Sequence, residues 1–247
     1  YGVEYFKVDY NVTMGYGSEL NSDSCADAIR EHYECLHQWY EEIFRDYPDL
    51  VVENCGSGGQ RMDYGMLKVL SLQSTSDQTD YLYNANIAAN VASAVAPEQG
   101  GMWVYPYEDE EEHVIYNVVN GMLLPYISGM VWKLGENSMN RMKEGIALYK
   151  EIREEVRDGV PFFPLGFGTL KSEVLAYGVK AEKNTYLSVW TPRTTEAVIP
   201  LENAEQVRRV SVIYPKEEMC GYKIENGNLV VKMPQEKAAR LFKIEMK

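Results

Sequence analysis

Short apolar segments alternate with helical stretches five times between residues 3 and 157, and this alternation constrains the fold more than any other feature. Each apolar segment has the length and composition of a strand, and the stretch after it repeats apolar residues at helical spacing. The clearest helix covers residues 26–45, with Ser24 as its predicted N-cap and Pro48 beyond its end. Strands that alternate with helices in this way predict a parallel sheet covered by helices.

The pattern changes after Gly159, at the proline- and glycine-rich connector PFFPLGFG. Beyond it, short runs alternate apolar and polar residues without a helical period, which is typical of an antiparallel sandwich. Asn226-Gly227 predicts a hairpin with a type I′ turn, because both residues tolerate a positive φ. The sequence therefore predicts two domains, an α/β domain over residues 1–164 and a β-sandwich over residues 165–247.

Charge and residue usage narrow the class of partner. The chain has 37 acidic and 24 basic residues and a net charge of -13, which would repel nucleic acid and anionic membranes but not a neutral ligand. It contains no apolar run of the roughly 18 residues that a membrane helix needs. The four cysteines and three histidines form no zinc motif, so we expect neither a metal nor another cofactor. Cysteines without a disulfide pattern favour a cytoplasmic protein.

Polar and acidic residues concentrate in the loops after the predicted strands. Asp9 ends the first strand and Asp77 follows the third, so a parallel (β/α) barrel would bring both carboxylates to one rim. Paired carboxylates across a pocket are the machinery of glycoside hydrolysis, where one acts on the sugar and the other protonates the leaving oxygen. Spacing alone does not distinguish these two from the other acidic residues, most of which should simply be solvated.

Three local motifs single out this pair: FKVDYN at residues 6–11, ENCGSGGQRMD at residues 53–63 and STSDQTD at residues 74–80. In this order they resemble the catalytic core of glycoside hydrolase family 36, the microbial α-galactosidases, where the strings read KWDMN, CxSGGxRxD and SDxxD. The resemblance covers roughly residues 1–160. It implies that the α/β part is strands four to eight of a (β/α)8 TIM barrel, followed by the family's C-terminal β domain.

The resemblance also implies residue roles. Asp9 would be the nucleophile and Asp77 the acid/base of a retaining hydrolase that acts on α-galactosides such as raffinose or melibiose. Lys7 lies two residues before Asp9, so both side chains leave the strand on one face, and the lysine should keep Asp9 ionised. The predicted substrate-binding residues are Lys7, Asn11, Cys55 and Gly58.

Departures from the family motifs leave alternatives open. Val8 stands where the family has Trp, Tyr10 where it has Met, and Ser74 where many members have Trp. The sugar could therefore be an α-N-acetylgalactosaminide, or the reaction a transfer to another sugar. By residue type, Cys55 is also typical of a buried core position, and Arg61 with Asp63 of a pair that braces the loop.

The chain begins at Tyr1 without an initiator methionine, which indicates a piece of a longer protein. Strands one to three of the family barrel have no counterpart here, and five strands cannot close an eight-stranded barrel. We therefore expect negligible glycosidase activity from these residues alone, and a homo-oligomer for the full-length protein. The alternative is a non-enzymatic barrel remnant that serves as a structural or sugar-binding module.

Overall fold

The computed structural model describes residues 2–13, 15–217 and 220–247. The chain divides into two compact units, which cover residues 1–77 and 78–247. Every helix in the described part of the chain is too short or too polar to span a bilayer. The domain boundary near residue 164 stays a prediction, because the division into units falls elsewhere in the chain.

The first unit is a parallel sheet with helices in its connections. Its elements are β1 (Tyr5–Asp9), α1 (Cys25–Asp46), β2 (Val51–Cys55), α2 (Tyr64–Val69) and β3 (Leu72–Ser74). Strand β2 lies between the other two and pairs in parallel with both, which sets Asp9 opposite Cys55 and Asn54 opposite Gln73. The predicted parallel arrangement is therefore present in this unit.

Helix α1 begins where the sequence predicts. The Ser24 side chain accepts a hydrogen bond from the Asp27 amide at 3.1 Å and thereby satisfies one of the free N–H groups of the first turn. The buried face of the helix centres on Tyr40, which packs with Val52 of β2 and Met66 of α2. This apolar contact holds α1 against the sheet and leaves the carboxyl ends of the strands to polar residues.

The second unit begins with further helices and parallel strands. They are α3 (Tyr81–Asn90), β4 (Gly100–Val104), α4 (Glu111–Asn120), β5 (Leu124–Ile127) and α5 (Glu136–Arg157), with short 3₁₀ turns at Val91–Ser93 and Val131–Lys133. Strands β4 and β5 pair in parallel. Helix α4 is almost entirely buried, including its polar residues Glu112, His113, Asn117 and Asn120.

Two antiparallel sheets complete the second unit. Their strands are β6 (Val160–Phe162), β7 (Leu175–Lys180), β8 (Asn184–Thr191), β9 (Glu196–Pro200), β10 (Val207–Tyr214), β11 (Gly221–Glu225), β12 (Asn228–Lys232) and β13 (Ala238–Met246), with a 3₁₀ turn at Ala204–Gln206. One sheet has the order β10-β13-β8-β7-β6 and the other β11-β12-β9. Their shared core includes Val189, Ile199, Leu229 and Phe242, each 0% exposed.

Two details of the β strands test the sequence predictions. The turn between β11 and β12 has φ of 50° at Asn226 and 77° at Gly227, so the predicted hairpin is confirmed. The start of the predicted connector is itself a strand, since Pro161 and Phe162 belong to β6 and pair with β7. Proline lacks the backbone N–H that a central strand would use for pairing on both sides. Strand β6 accordingly lies at the edge of its sheet.

A buried ion pair links helix α4 to strand β13. The guanidinium of Arg240 donates to both carboxylate oxygens of Glu112, at 2.9 and 2.7 Å, and Arg240 is 0% exposed. A buried charge is tolerated only when it is paired and hydrogen-bonded. This bidentate contact therefore ties the helical part of the second unit to its sandwich.

Candidate active site

The two predicted catalytic carboxylates both follow carboxyl ends of strands in the parallel sheet of the first unit. Asp9 is the last residue of β1, and the next amide, that of Tyr10, donates to the Cys55 carbonyl at 3.0 Å. Asp77 lies three residues beyond the end of β3. Both aspartates are exposed, and β2 separates their strands. The structure thus brings them to the same edge of one sheet, two strands apart.

The glycine loop after β2 contacts the backbone beside each aspartate. Gly58 has φ of +74°, and a Cβ added there would come within 2.5 Å of the Ser76 Cα and 2.6 Å of the Asp77 amide nitrogen. A Cβ at Gly56 would lie 3.0 Å from the Tyr10 carbonyl oxygen. Only glycine allows this close approach together with a positive φ. The loop therefore spaces the two aspartate-bearing segments.

Asn11, which is predicted to bind substrate, forms hydrogen bonds with Ser57 of the glycine loop. Its side-chain oxygen accepts hydrogen bonds from the Ser57 amide at 2.6 Å and from the Ser57 hydroxyl at 3.2 Å. Ser57 has a left-handed φ of 43°, which a hydrogen-bonded partner helps to maintain. Asn11 is itself exposed, so a ligand can reach it.

Lys7 is held by a carboxylate that the sequence analysis did not single out. Its ammonium nitrogen lies 3.0 Å from Glu53 Oε1, and the two residues are direct cross-strand partners. The Tyr5 hydroxyl donates to the other oxygen of Glu53. Glu53 is only 2% exposed, so its charge depends on these two donors. Its place in the ENCGSGG motif was the available signal.

The electrostatics of Lys7 follow from this pair. Burial lowers the pKa of Lys7, but the hydrogen bond and charge of Glu53 outweigh burial, and Cys55 and Asp9 add smaller contributions, so the pKa is raised above its usual value. Lys7 therefore carries a positive charge at neutral pH.

Three further motif residues have definite places. Cys55 is 1% exposed, as a core cysteine would be, and it lies beside Asp9 through strand pairing. Arg61 braces the segment after β1 through backbone carbonyls, donating to those of Tyr10 at 2.7 Å and Val12 at 2.5 Å. Asp63 caps helix α2 by accepting from the Met66 amide at 3.0 Å.

This edge of the sheet can support acid–base and nucleophilic chemistry on a neutral ligand. It offers two exposed carboxylates, an ammonium with a fixed counter-ion and a tightly packed glycine loop. Within residues 2–13, 15–217 and 220–247, no group of three or more His, Cys, Asp or Glu side chains could hold a metal ion. Glycoside hydrolysis is one reaction that uses two carboxyl groups, placed on either side of the bond that breaks.

Comparison with known proteins connects this site to a family. The family model for melibiase matches residues 1–159. Alpha-galactosidase Mel36A of Lactobacillus acidophilus is 25% identical over 174 residues, which cover 64% of this chain and 22% of that protein. Alpha-galactosidase AgaA of Geobacillus stearothermophilus is 26% identical over 216 residues, 81% of this chain and 28% of that protein. The chain thus spans about a quarter of the length of these relatives.

Solved structures share the fold. The galactosidase domain of alpha-galactosidase-sucrose kinase, AgaSK, superposes with a TM-score of 0.78 at 18% identity, covering 99% of this chain and 34% of that one. A variant of AgaA from Geobacillus stearothermophilus in complex with raffinose gives a TM-score of 0.77 at 18% identity, covering 98% and 35%. At this level of identity the likeness concerns the fold alone.

Proposed function

Because this chain belongs to the melibiase family, glycoside hydrolase family 36, we propose that the full-length protein hydrolyses α-galactosides of the raffinose and melibiose type with retention of configuration. The observation that carries the proposal is the placement of Asp9 and Asp77 at one edge of a parallel sheet, on either side of the glycine loop. The proposed substrate is a neutral oligosaccharide, which a protein with a net charge of -13 does not repel.

The proposed reaction has two displacements. The Asp9 carboxylate attacks the anomeric carbon while Asp77 gives its proton to the glycosidic oxygen, so the bond to the leaving sugar breaks and a galactosyl ester forms. Asp77 then takes a proton from water, which attacks the same carbon and frees Asp9. Two inversions give net retention, and this geometry requires carboxyl groups about 5–5.5 Å apart.

The neighbouring residues would bind the sugar. The Lys7 ammonium would donate to a galactose hydroxyl, while its ion pair with Glu53 keeps it in place. Asn11 offers its amide N–H groups, because its oxygen is already used by Ser57. Cys55 and Gly58 complete the proposed galactose pocket from β2 and the glycine loop.

The wider architecture of the proposal follows the family. Strands β1 to β5 correspond to strands four to eight of the (β/α)8 barrel, and the sandwich that follows residue 164 corresponds to the C-terminal β domain. We further propose a cytoplasmic homo-oligomer that acts without a metal or cofactor and binds neither nucleic acid nor membrane.

The role of Asp77 can be tested with two substrates. In the full-length protein, Asp77→Ala should lower kcat/KM for raffinose far more than for an aryl α-galactoside with a good leaving group, because protonation matters most for a basic leaving oxygen. Asp49→Ala is the matched control, since Asp49 is exposed and precedes β2 at the opposite end of the strand. Equal losses on both substrates would remove Asp77 from the acid role.

The stereochemistry is a separate test. NMR of the first product formed should show α-galactose before mutarotation mixes the anomers. Initial release of β-galactose would exclude the double displacement and leave a single displacement by water.

A further inference from the structure

Gln73, Asn54 and Arg61 form a hydrogen-bonded chain from the end of β3 to the segment after β1, in which Gln73 and Asn54 act through their side chains and Arg61 through both its main-chain carbonyl and its guanidinium. We propose that this chain, the positioning relay, sets the placement of Asp77 relative to Asp9. The inference rests on the proposed function and adds to it residues that act through the two aspartates rather than on the substrate.

The relay begins at Gln73 on β3. This side chain is 0% exposed, and its amide nitrogen donates to the Ser74 carbonyl at 2.6 Å and to the Asn54 carbonyl at 3.4 Å. Its oxygen accepts from the Asn54 side chain at 2.7 Å. Ser74 is the last residue of β3, so Gln73 fixes the strand end from which the chain continues to Asp77.

Asn54 on β2 forms the middle of the relay. Its amide nitrogen donates both to Gln73, as described, and to the Arg61 carbonyl at 2.9 Å, so both of its N–H groups have acceptors. Asn54 is 2% exposed, and its neighbour Cys55 pairs with Asp9. Two fixed acceptors allow a single orientation of the amide.

Arg61 completes the relay on the nucleophile side. Its guanidinium donates to the Tyr10 and Val12 carbonyls, which flank Asn11 in the segment that begins right after Asp9. The guanidinium also lies 4.0 Å from the centre of the Tyr10 ring. It also donates to the Tyr33 hydroxyl of α1 at 3.2 Å. A shift of Arg61 would therefore move the segment next to Asp9.

A relay is needed because contacts of the two aspartate side chains do not fix their positions. Both are exposed, so packing does not fix their side chains, and their separation depends on the backbones that carry them. Breaking one link of a buried polar network leaves donors or acceptors unsatisfied, so such a network tends to keep one arrangement. A misplacement of about 1 Å between reacting groups can lower a rate by about 100-fold.

The test is a double-mutant cycle in the full-length protein with an aryl α-galactoside as substrate. Gln73→Met keeps the size of the side chain and removes its hydrogen bonds, while Arg61→Lys keeps the charge and removes the planar fork. Each should lower kcat by about 100-fold with little change in KM. The double variant should lose far less than the roughly 10⁴-fold product, because both act on the same geometry.

Controls separate a positioning role from general damage. Gln38→Met makes the same chemical change at an exposed glutamine of α1 and should leave kcat unchanged. Thermal unfolding should show that the single variants remain folded; if Gln73→Met does not fold, Arg61→Lys at the partly exposed end of the relay still tests the role of the network. Losses that multiply fully, or wild-type kcat in a folded Arg61→Lys protein, would overturn the relay.

The outcome also distinguishes the relay from the proposed function. If Asp9→Asn keeps wild-type turnover, the proposed nucleophile is wrong whatever the relay variants do. If Asp9→Asn is inactive while folded Gln73→Met and Arg61→Lys proteins are fully active, only the relay fails.

Discussion

Strands β1 and β8 represent two ways in which this molecule is ordered. Strand β1 carries Tyr5 and Phe6 at 46% and 50% exposure and ends in Asp9, and the Lys7 and Tyr5 side chains bind Glu53 of β2. Strand β8 has six buried residues in succession and lies between two other strands of its sheet. Polar contacts order the first region, and apolar burial orders the second.

The difference between the two strands indicates which substitutions should affect activity and which should affect stability. Directional hydrogen bonds position groups well but contribute little net free energy, about 1 kcal/mol each, whereas burial of a large side chain contributes several. Substitutions at the strand ends of the first unit should therefore change activity more than stability. Substitutions in the sandwich core should do the reverse.

The largest effect is expected at Asp9. In the full-length protein, Asp9→Asn should reduce turnover of an aryl α-galactoside by about 10⁴-fold or more, because it removes the proposed nucleophile. The free energy of unfolding should change by less than about 0.5 kcal/mol, since the residue is exposed. Kinetics and urea unfolding of the same sample measure both. A large loss of stability would contradict the assignment of this strand end to function rather than to folding.

The sandwich core should give the opposite result. Phe242→Ala should lower the free energy of unfolding by about 3–5 kcal/mol, because a fully buried ring is replaced by a cavity. Phe167→Ala removes the same ring at a site 66% exposed and should cost less than about 0.5 kcal/mol. Denaturant titration compares the two variants. Similar small losses in both would show that the sandwich does not depend on its core.

An intermediate effect is expected at Glu53. Glu53→Gln removes the charge that raises the pKa of Lys7, so burial should then lower that pKa, as NMR titration of the lysine would show. The Lys7 ammonium then loses the counter-ion that fixes its position beside the proposed nucleophile, so kcat/KM should fall by about 10- to 100-fold. Tyr5→Phe removes only a hydroxyl donor to the same carboxylate and should have a smaller effect. An unchanged Lys7 pKa in Glu53→Gln would contradict the pairing.

The smallest effect is expected in the β11–β12 turn. Gly227→Ala should lower the free energy of unfolding by about 1 kcal/mol, because alanine is strained at a φ of 77°. Gly221→Ala is the control, since a Cβ there meets only the Lys232 Cβ at 3.9 Å and no positive φ is involved. Equal changes at the two glycines would argue against turn geometry as the cause.

Local patterns predicted most elements, and the misses have a common reason. The helix cap at Ser24, the hairpin at Asn226 and the strand that ends in Asp9 each depend on neighbouring residues, and the sequence shows them directly. The proline in β6 argued against a strand there. Proline is tolerated at the edge of a sheet, and whether a segment lies at an edge depends on the strands that pair with it. Pairing between distant segments has no local signature.

The candidate site divides in the same way. The positions of Asp9 and Asp77 near strand ends could be predicted, because motifs mark those ends. Glu53 could not, since its role follows from the register that sets it opposite Lys7. In the second unit, the complete burial of Arg240 could not be predicted either. Arginine is mostly exposed in proteins, and its partner Glu112 lies far from it in the sequence.

The enclosure of Arg240 also decides how the protein should respond to salt. Dissolved ions screen charges that water can reach, and they have little access to a guanidinium that is 0% exposed. By contrast, Arg30 near the start of α1 is paired with Asp27 and Glu34, and its side chain is 56% exposed. Raising the ionic strength should therefore speed amide hydrogen exchange in the first turns of α1 while leaving α4 and β13 protected.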